Sequence, residues 1–169
     1  ATAGRILVPD GRIDHAGYAV LAWQTPEENH IGGRSIYAGR LAEALGPLAP
    51  QLVPAVASEA MAVRAAAFFA VGGFAEDLGT DHLLSRPLGE AEPAGLDLCF
   101  KLAEKGWRCV FNPASVMTRL RLAERSDVEG RQAGDPTDHG IAADVERLTR
   151  RWSGAVQPDF IVHMQGVTP

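Results

Sequence analysis

Leu96-Asp97-Leu98-Cys99-Phe100-Lys101-Leu102-Ala103-Glu104-Lys105-Gly106-Trp107-Arg108-Cys109-Val110-Phe111-Asn112 carries two hydrophobic periods in succession, and together they set the fold class. In the first half Leu96, Cys99, Phe100 and Ala103 fall at i, i+3, i+4 and i+7, the repeat of one helix face, with Asp97, Lys101 and Glu104 opposite. Gly106 ends the helix, because glycine adopts the left-handed backbone that helix ends favour. In the second half Trp107, Cys109 and Phe111 alternate with Arg108, Val110 and Asn112, the period of a strand, and Asn112-Pro113 closes it. A helix that passes into a strand across one glycine is a unit of a layered α/β domain.

Working outward, Arg5 to Val8 reads as a strand entering the turn Pro9-Asp10-Gly11, with the return strand at Tyr18 to Trp23. Gln24 to Gly39, polar and glycine-rich with no period, reads as a surface loop. Arg40 to Leu45 reads as a short helical turn, Val53 to Val63 as a strand or strand pair, and Arg64 to Val71 as a helix stopped by Gly72-Gly73. Beyond Pro113, Ser115 to Leu120 has the pattern of a strand and Glu124 to Pro136 that of a loop. The last helix starts near Asp138 as N-cap, with Ile141, Val145, Leu148 and Trp152 on one stripe.

The chain has 169 residues, 46% apolar and 22% charged, which suits a single globular domain over residues 1–169. A net charge of -5 opposes a nucleic-acid partner, which needs a clustered basic face. Arg147, Arg150 and Arg151 complement the dipole at a helix end. Cys99 and Cys109 have no zinc-ligand spacing and read as small buried apolar residues. No apolar run approaches the about 18 residues of a membrane span, so no transmembrane segment is expected and a cytoplasmic setting is the default.

Four segments, in one order, carry a resemblance. They are Pro9-Asp10-Gly11-Arg12-Ile13-Asp14-His15-Ala16-Gly17; Met61 to Arg64 followed by Val71-Gly72-Gly73-Phe74-Ala75-Glu76; Leu96 to Leu102 with Gly106-Trp107-Arg108 and Pro113 behind it; and Arg151-Trp152 with Pro158-Asp159-Phe160. Together they span nearly the whole chain, and it resembles the C-terminal, acceptor-side half of a family 2 glycosyltransferase of the GT-A fold. The resemblance implies a partial GT-A-like, Rossmann-like mixed sheet flanked by helices, with the N-terminal nucleotide-binding half missing. It implies sugar transfer from a nucleotide sugar to a glycan or lipid-linked acceptor, together with a partner chain or N-terminal half that supplies the donor site.

Such a transferase needs a carboxylate to take the acceptor proton and a divalent cation on a DxD pair to neutralise the leaving diphosphate. Here the positions of the family's acid pair are Ala94 and Gly95, a frequent family histidine is replaced near Thr118 and Arg119, and no DxD is present. The expectation is therefore a degenerate catalytic motif and no cofactor in this chain, with manganese or magnesium required only by a complete enzyme.

The candidate catalytic acids are Asp97, the surviving acid of the motif, and Glu92, a substitute in Glu90-Ala91-Glu92. Asp97 also reads as a helix-start acid paired with Lys101, and Glu92 as part of a solvated acidic loop that includes Asp77, Asp81 and His82. For the acceptor the resemblance points to Gly72, Gly73, Phe74 and Glu76, and Trp23 near a strand end is a candidate sugar contact. Gly72 and Gly73 equally suit a turn that needs positive φ. His15 reads as a structural hydrogen-bonding histidine, and Trp107 and Trp152 as core. A noncatalytic module that binds a saccharide or a protein is the rival reading.

Overall fold

The computed structural model describes residues 1–24, 29–79, 88–120 and 136–163. Its centre is a five-stranded mixed sheet built on β1 (Thr2–Leu7), β2 (Ile13–His15), β5 (Gln51–Val53), β6 (Met61–Ala62) and β7 (Cys109–Thr118). β1 and β7 run parallel in the middle, β5 is antiparallel on the outer side of β7, and β2 and β6 share the other side of β1. A second sheet has β3 (Tyr18–Gln24) between antiparallel β4 (Asn29–Ser35) and parallel β8 (Phe160–His163). Among the described residues three helices, α1 (Ala65–Ala70), α2 (Pro93–Glu104) and α3 (Pro136–Trp152), complete an α/β architecture, as the sequence pattern implied.

α2 and β7 confirm the deciding stretch, with one rotation of the helix. Leu96, Cys99 and Phe100 do enter the main core beside Ile13, Tyr18, Val20 and Phe111. Ala103, expected on that stripe, is exposed, while Leu98 and Leu102 are buried in a second cluster with Ala67 of α1. α2 thus has apolar neighbours on two sides, and every residue from Pro93 to Phe100 is buried, Asp97 included. Each fully buried leucine contributes about 1.5–3 kcal/mol relative to an exposed one, so the two-sided contact outweighs a single-stripe arrangement.

Four further sequence expectations are corrected. Residues 29–35 form β4 rather than loop, and its glycines exist for close packing. A Cβ on Gly32 would lie 2.4 Å from the Trp23 ring, and one on Gly33 would lie 2.8 Å from the Ala91 side chain. Asn112-Pro113 does not end a strand: β7 continues to Thr118 through a bulge, where Ala3 pairs with Phe111 but Arg5 pairs with Val116. Gly4 lies opposite, where a Cβ would meet the Ser115 carbonyl oxygen at 2.5 Å. Trp107 is 37% exposed beneath the Arg64 guanidinium rather than in the core, because it follows Gly106 outside the strand. Arg151 does more than complement a helix dipole, since it forms ion pairs with two acids outside its own helix.

Elsewhere the expectations hold in outline. The turn after β1 is closed by Gly11 N donating to Val8 O and Val8 N donating to Arg12 O, each at 2.9 Å. The 53–63 region departs from these expectations, since only Val53, the last residue of β5, and the two residues of β6 are in strands, with a 3₁₀ turn at Ser58–Ala60 between them. α3 starts at Pro136, ahead of Asp138, and buries Leu148 and Trp152 as its stripe implied. Asp81, His82 and residues 121–135 lie outside the described residues.

Candidate functional site

β1 and β7 are adjacent parallel strands, and in open α/β sheets ligands bind outside the carboxyl ends of such strands. At that end Arg119 N donates to Leu7 O at 2.7 Å, tying the first residue past β7 to the last of β1. A cleft of about 360 Å³ opens there, lined by Val8, Pro9, Asp10, Arg12 and Leu88. Across the turn the Arg12 guanidinium meets the Asp10 carboxylate at 2.7 Å, both side chains about half exposed. The hydrogen bonds from Arg12 hold the Asp10 carboxyl below the usual range, and Asp10 in turn raises Arg12, so both stay charged.

A buried polar network adjoins this cleft. Asp14, fully buried in β2, takes Arg119 on Oδ2 at 2.8 Å and the Gly89 N–H on Oδ1 at 2.9 Å, one residue beyond the cleft-lining Leu88. Arg119 also pairs with Glu59, and the neighbouring Ser58 hydroxyl donates to Glu92. One guanidinium thereby bridges the carboxylates of β2 and the 3₁₀ turn, and the Ser58 hydroxyl links that turn to Glu92 at the start of α2. His15 Nε2 accepts N–H bonds from Gly17 and Ala57 at 3.3 Å each, which assigns its proton to Nδ1 and its role to holding the β2–β3 turn. The structural reading of His15 is correct.

The structure disperses the residues singled out from sequence. Glu92 is 5% exposed and immediately precedes α2, engaged by Ser58, so it is not part of a solvated loop. Asp97 lies one turn further along and joins a different network. Its Oδ1 accepts Arg151 Nη1 at 2.7 Å and Trp152 Nε1 at 2.9 Å, and its Oδ2 faces Lys101 Nζ at 2.9 Å. Burial alone would raise this carboxyl. The hydrogen bonds from Arg151, Lys101 and Trp152 outweigh burial and hold it below the ordinary value. Asp97 is not the exposed first-turn acid that its spacing suggested, although its pairing with Lys101 is as expected.

Of the turn residues, Gly73 joins Asp97 through one intermediary, because Lys101 Nζ also donates to Gly73 O at 2.7 Å. Gly72 and Gly73 have φ of 75° and 68°, so the backbone reading of both is correct. Phe74 is 41% exposed and edge-on to Phe68, and Glu76 is exposed. The next residue, Asp77, receives both oxygens' bonds from Arg151 Nη2, at 3.0 and 2.9 Å, which lowers its carboxyl. Trp23 belongs to the other sheet, with its ring over Gly32.

Asp10, Arg12, Asp14, Ser58, Glu59 and Arg119 were not singled out as a site by sequence. Asp10 and Arg12 had a local signal, opposite charges two residues apart across a Pro-x-Gly turn. Ser58 and Glu92 are 34 residues apart, and no local pattern links them.

Chemically, the cleft pairs an acceptor, Asp10, with a donor fork, Arg12, over the apolar surfaces of Val8, Pro9 and Leu88. Neighbouring sugar hydroxyls each donate and accept, so such a pair suits a vicinal diol. The first turn of α2 offers no acid, because Ala94 and Gly95 are buried there. No group of three or more His, Cys, Asp or Glu side chains among the described residues is arranged to hold a metal ion. No helix among them is long and apolar enough to cross a membrane. Comparisons of the chain with protein-family models, curated proteins and solved structures found no match.

Proposed function

We propose that this chain is a glycosyltransferase-like, acceptor-side domain of the GT-A type that holds a saccharide acceptor in the cleft beyond the carboxyl ends of β1 and β7. The single observation that carries the reading is the placement of the Asp10–Arg12 pair in that cleft, at the end of two parallel strands where α/β sheets hold ligands. The ordered likeness of four sequence segments to family 2 transferases supports the same reading.

In a complete enzyme of this kind, a nucleotide sugar and manganese or magnesium are held by a second half, and the sugar passes to a glycan or lipid-linked acceptor. This chain's own residues bind and orient the acceptor. The burial of Ala94 and Gly95, and the engagement of Glu92 by Ser58, favour a noncatalytic role for the chain by itself. A saccharide-binding module is therefore the second reading, and it uses the same cleft.

A glycan array probed with the chain, followed by a transfer assay with nucleotide sugars and manganese, tests this reading. Binding of a defined saccharide class that is lost in Arg12→Ala, without turnover by the chain alone, is expected. A folded chain that binds no glycan refutes it.

A further inference from the structure

The β7 bulge builds a second cleft whose lining shares no residue with the cleft at Asp10 and Arg12. Between Ala3 and Arg5 the β1 strand advances two positions while β7 advances from Phe111 to Val116, so Asn112 to Ser115 are pushed out of the ladder. Asn112 Oδ1 accepts the Ala114 N–H at 3.2 Å and shapes the extruded turn. The turn faces the Gly46-Pro47-Leu48 segment across a cleft of about 260 Å³, and Arg5 forms part of its lining.

Arg5 is unusual among the arginines described so far. Its Nε is buried and has no hydrogen-bond partner among the described residues. Its neighbour Ile6 is 3% exposed in the core, and alternation along β1 therefore turns Arg5 to the other face of the strand. No acidic side chain among the described residues lines the cleft to neutralise it. With Asn112 Oδ1 committed to Ala114, the two amide hydrogens on Asn112 Nδ2 are the donors that side chain retains. Proline walls at Pro47, Pro50 and Pro113 restrict the backbone on both sides, so the pocket is held open at low conformational cost.

The geometry points to an oxyanion subsite in this cleft, with the Arg5 guanidinium and the Asn112 amide as donors for a small ligand bearing a phosphate or carboxylate group. A guanidinium presents a planar fork that matches either group. Because the chain carries a net charge of -5, an anion would be drawn here by local hydrogen bonding and not by the overall field. This site is independent of the saccharide cleft and of the function proposed for it.

Titration of the intact chain with inorganic phosphate, and separately with acetate, at ionic strength held constant with chloride, tests it. Nuclear magnetic resonance reads the Arg5 Nε–H and Asn112 side-chain amide signals directly. We expect saturable shifts of both signals with at least one anion, and about tenfold weaker binding in Arg5→Met. Phosphate-selective shifts would assign a phosphorylated ligand and acetate-selective shifts a carboxylate ligand. Absence of a saturable shift at Arg5 in the wild-type chain with either anion overturns the inference, whether or not Arg5→Met folds. Equal binding in a folded Arg5→Met variant overturns it as well.

Discussion

Arg151, in the last turn of α3, places Nη1 2.7 Å from Oδ1 of Asp97 in α2, and with its other nitrogen grips Asp77. One guanidinium thereby ties α3 to α2 and to the segment that follows the Gly72-Gly73 turn. Trp152, the next residue, adds its indole N–H to the same Asp97 oxygen and stacks edge-on against Phe100. This arrangement gives Asp97 a structural task that accounts for its burial.

Asp97→Ala is expected to destabilise the fold by about 3 kcal/mol, since it strands the Trp152 N–H and two cationic partners. Asp97→Asn keeps an acceptor and is expected to cost less, about 1–2 kcal/mol. Urea unfolding monitored by far-ultraviolet circular dichroism provides the check. A loss of well under ~1 kcal/mol for the alanine variant, the size typical of an exposed pair, would contradict the buried network.

The same carboxylate makes stability depend on acidity. The folded-state value of Asp97 lies below its ordinary 3.8, so the native state binds fewer protons there than the unfolded chain does. Its stabilisation is fully present above the ordinary value and is lost as pH falls through the lower folded value. Melting temperatures measured from neutral pH down to strong acid should fall over that acid window, and the fall should be shallower in Asp97→Asn. Identical acid profiles for the two proteins would contradict this assignment.

The glycines separate two kinds of demand on the backbone. At Gly32 a Cβ would strike the Trp23 ring at 2.4 Å, so Gly32→Val is expected to cost about 1–3 kcal/mol and to shift Trp23 fluorescence as the ring is displaced. At Gly72 nothing lies within 4 Å of a Cβ, yet φ is 75°, so Gly72→Ala is expected to cost about 1 kcal/mol through backbone strain alone. Tryptophan fluorescence unchanged by Gly32→Val would argue against the β3–β4 packing.

How much was legible in the sequence follows from where each signal resides. α2, the strand after it and the stripe of α3 were legible because their hydrophobic periods are local. β4 was not, because Gly32 and Gly33 carry no apolar period. Their place in a strand depends on Trp23 and Ala91, which only the fold brings near. Pro113 read as a stop because an uninterrupted ladder excludes it, and the bulge opposite Gly4 removes that objection. For the site, spacing revealed the Asp97–Lys101 pair but not Arg151, 54 residues away, whose ion pair turns a surface acid into a buried one. The Asp14–Arg119 pair joins a residue of β2 to the first residue past β7 and has no counterpart in local pattern.

The proposed role of the cleft beside Asp10 and Arg12 is to receive a saccharide. The most direct measurement is a backbone-amide shift titration of the chain with the best-binding oligosaccharide from an array, repeated with Arg12→Ala. Saturable shifts concentrated at Val8, Asp10, Gly11, Arg12 and Leu88 are expected, lost in the variant while its spectrum remains that of the folded chain. Saturable shifts centred on Trp23 or on the Phe68–Phe74 surface, with residues 8–12 unmoved, would contradict it.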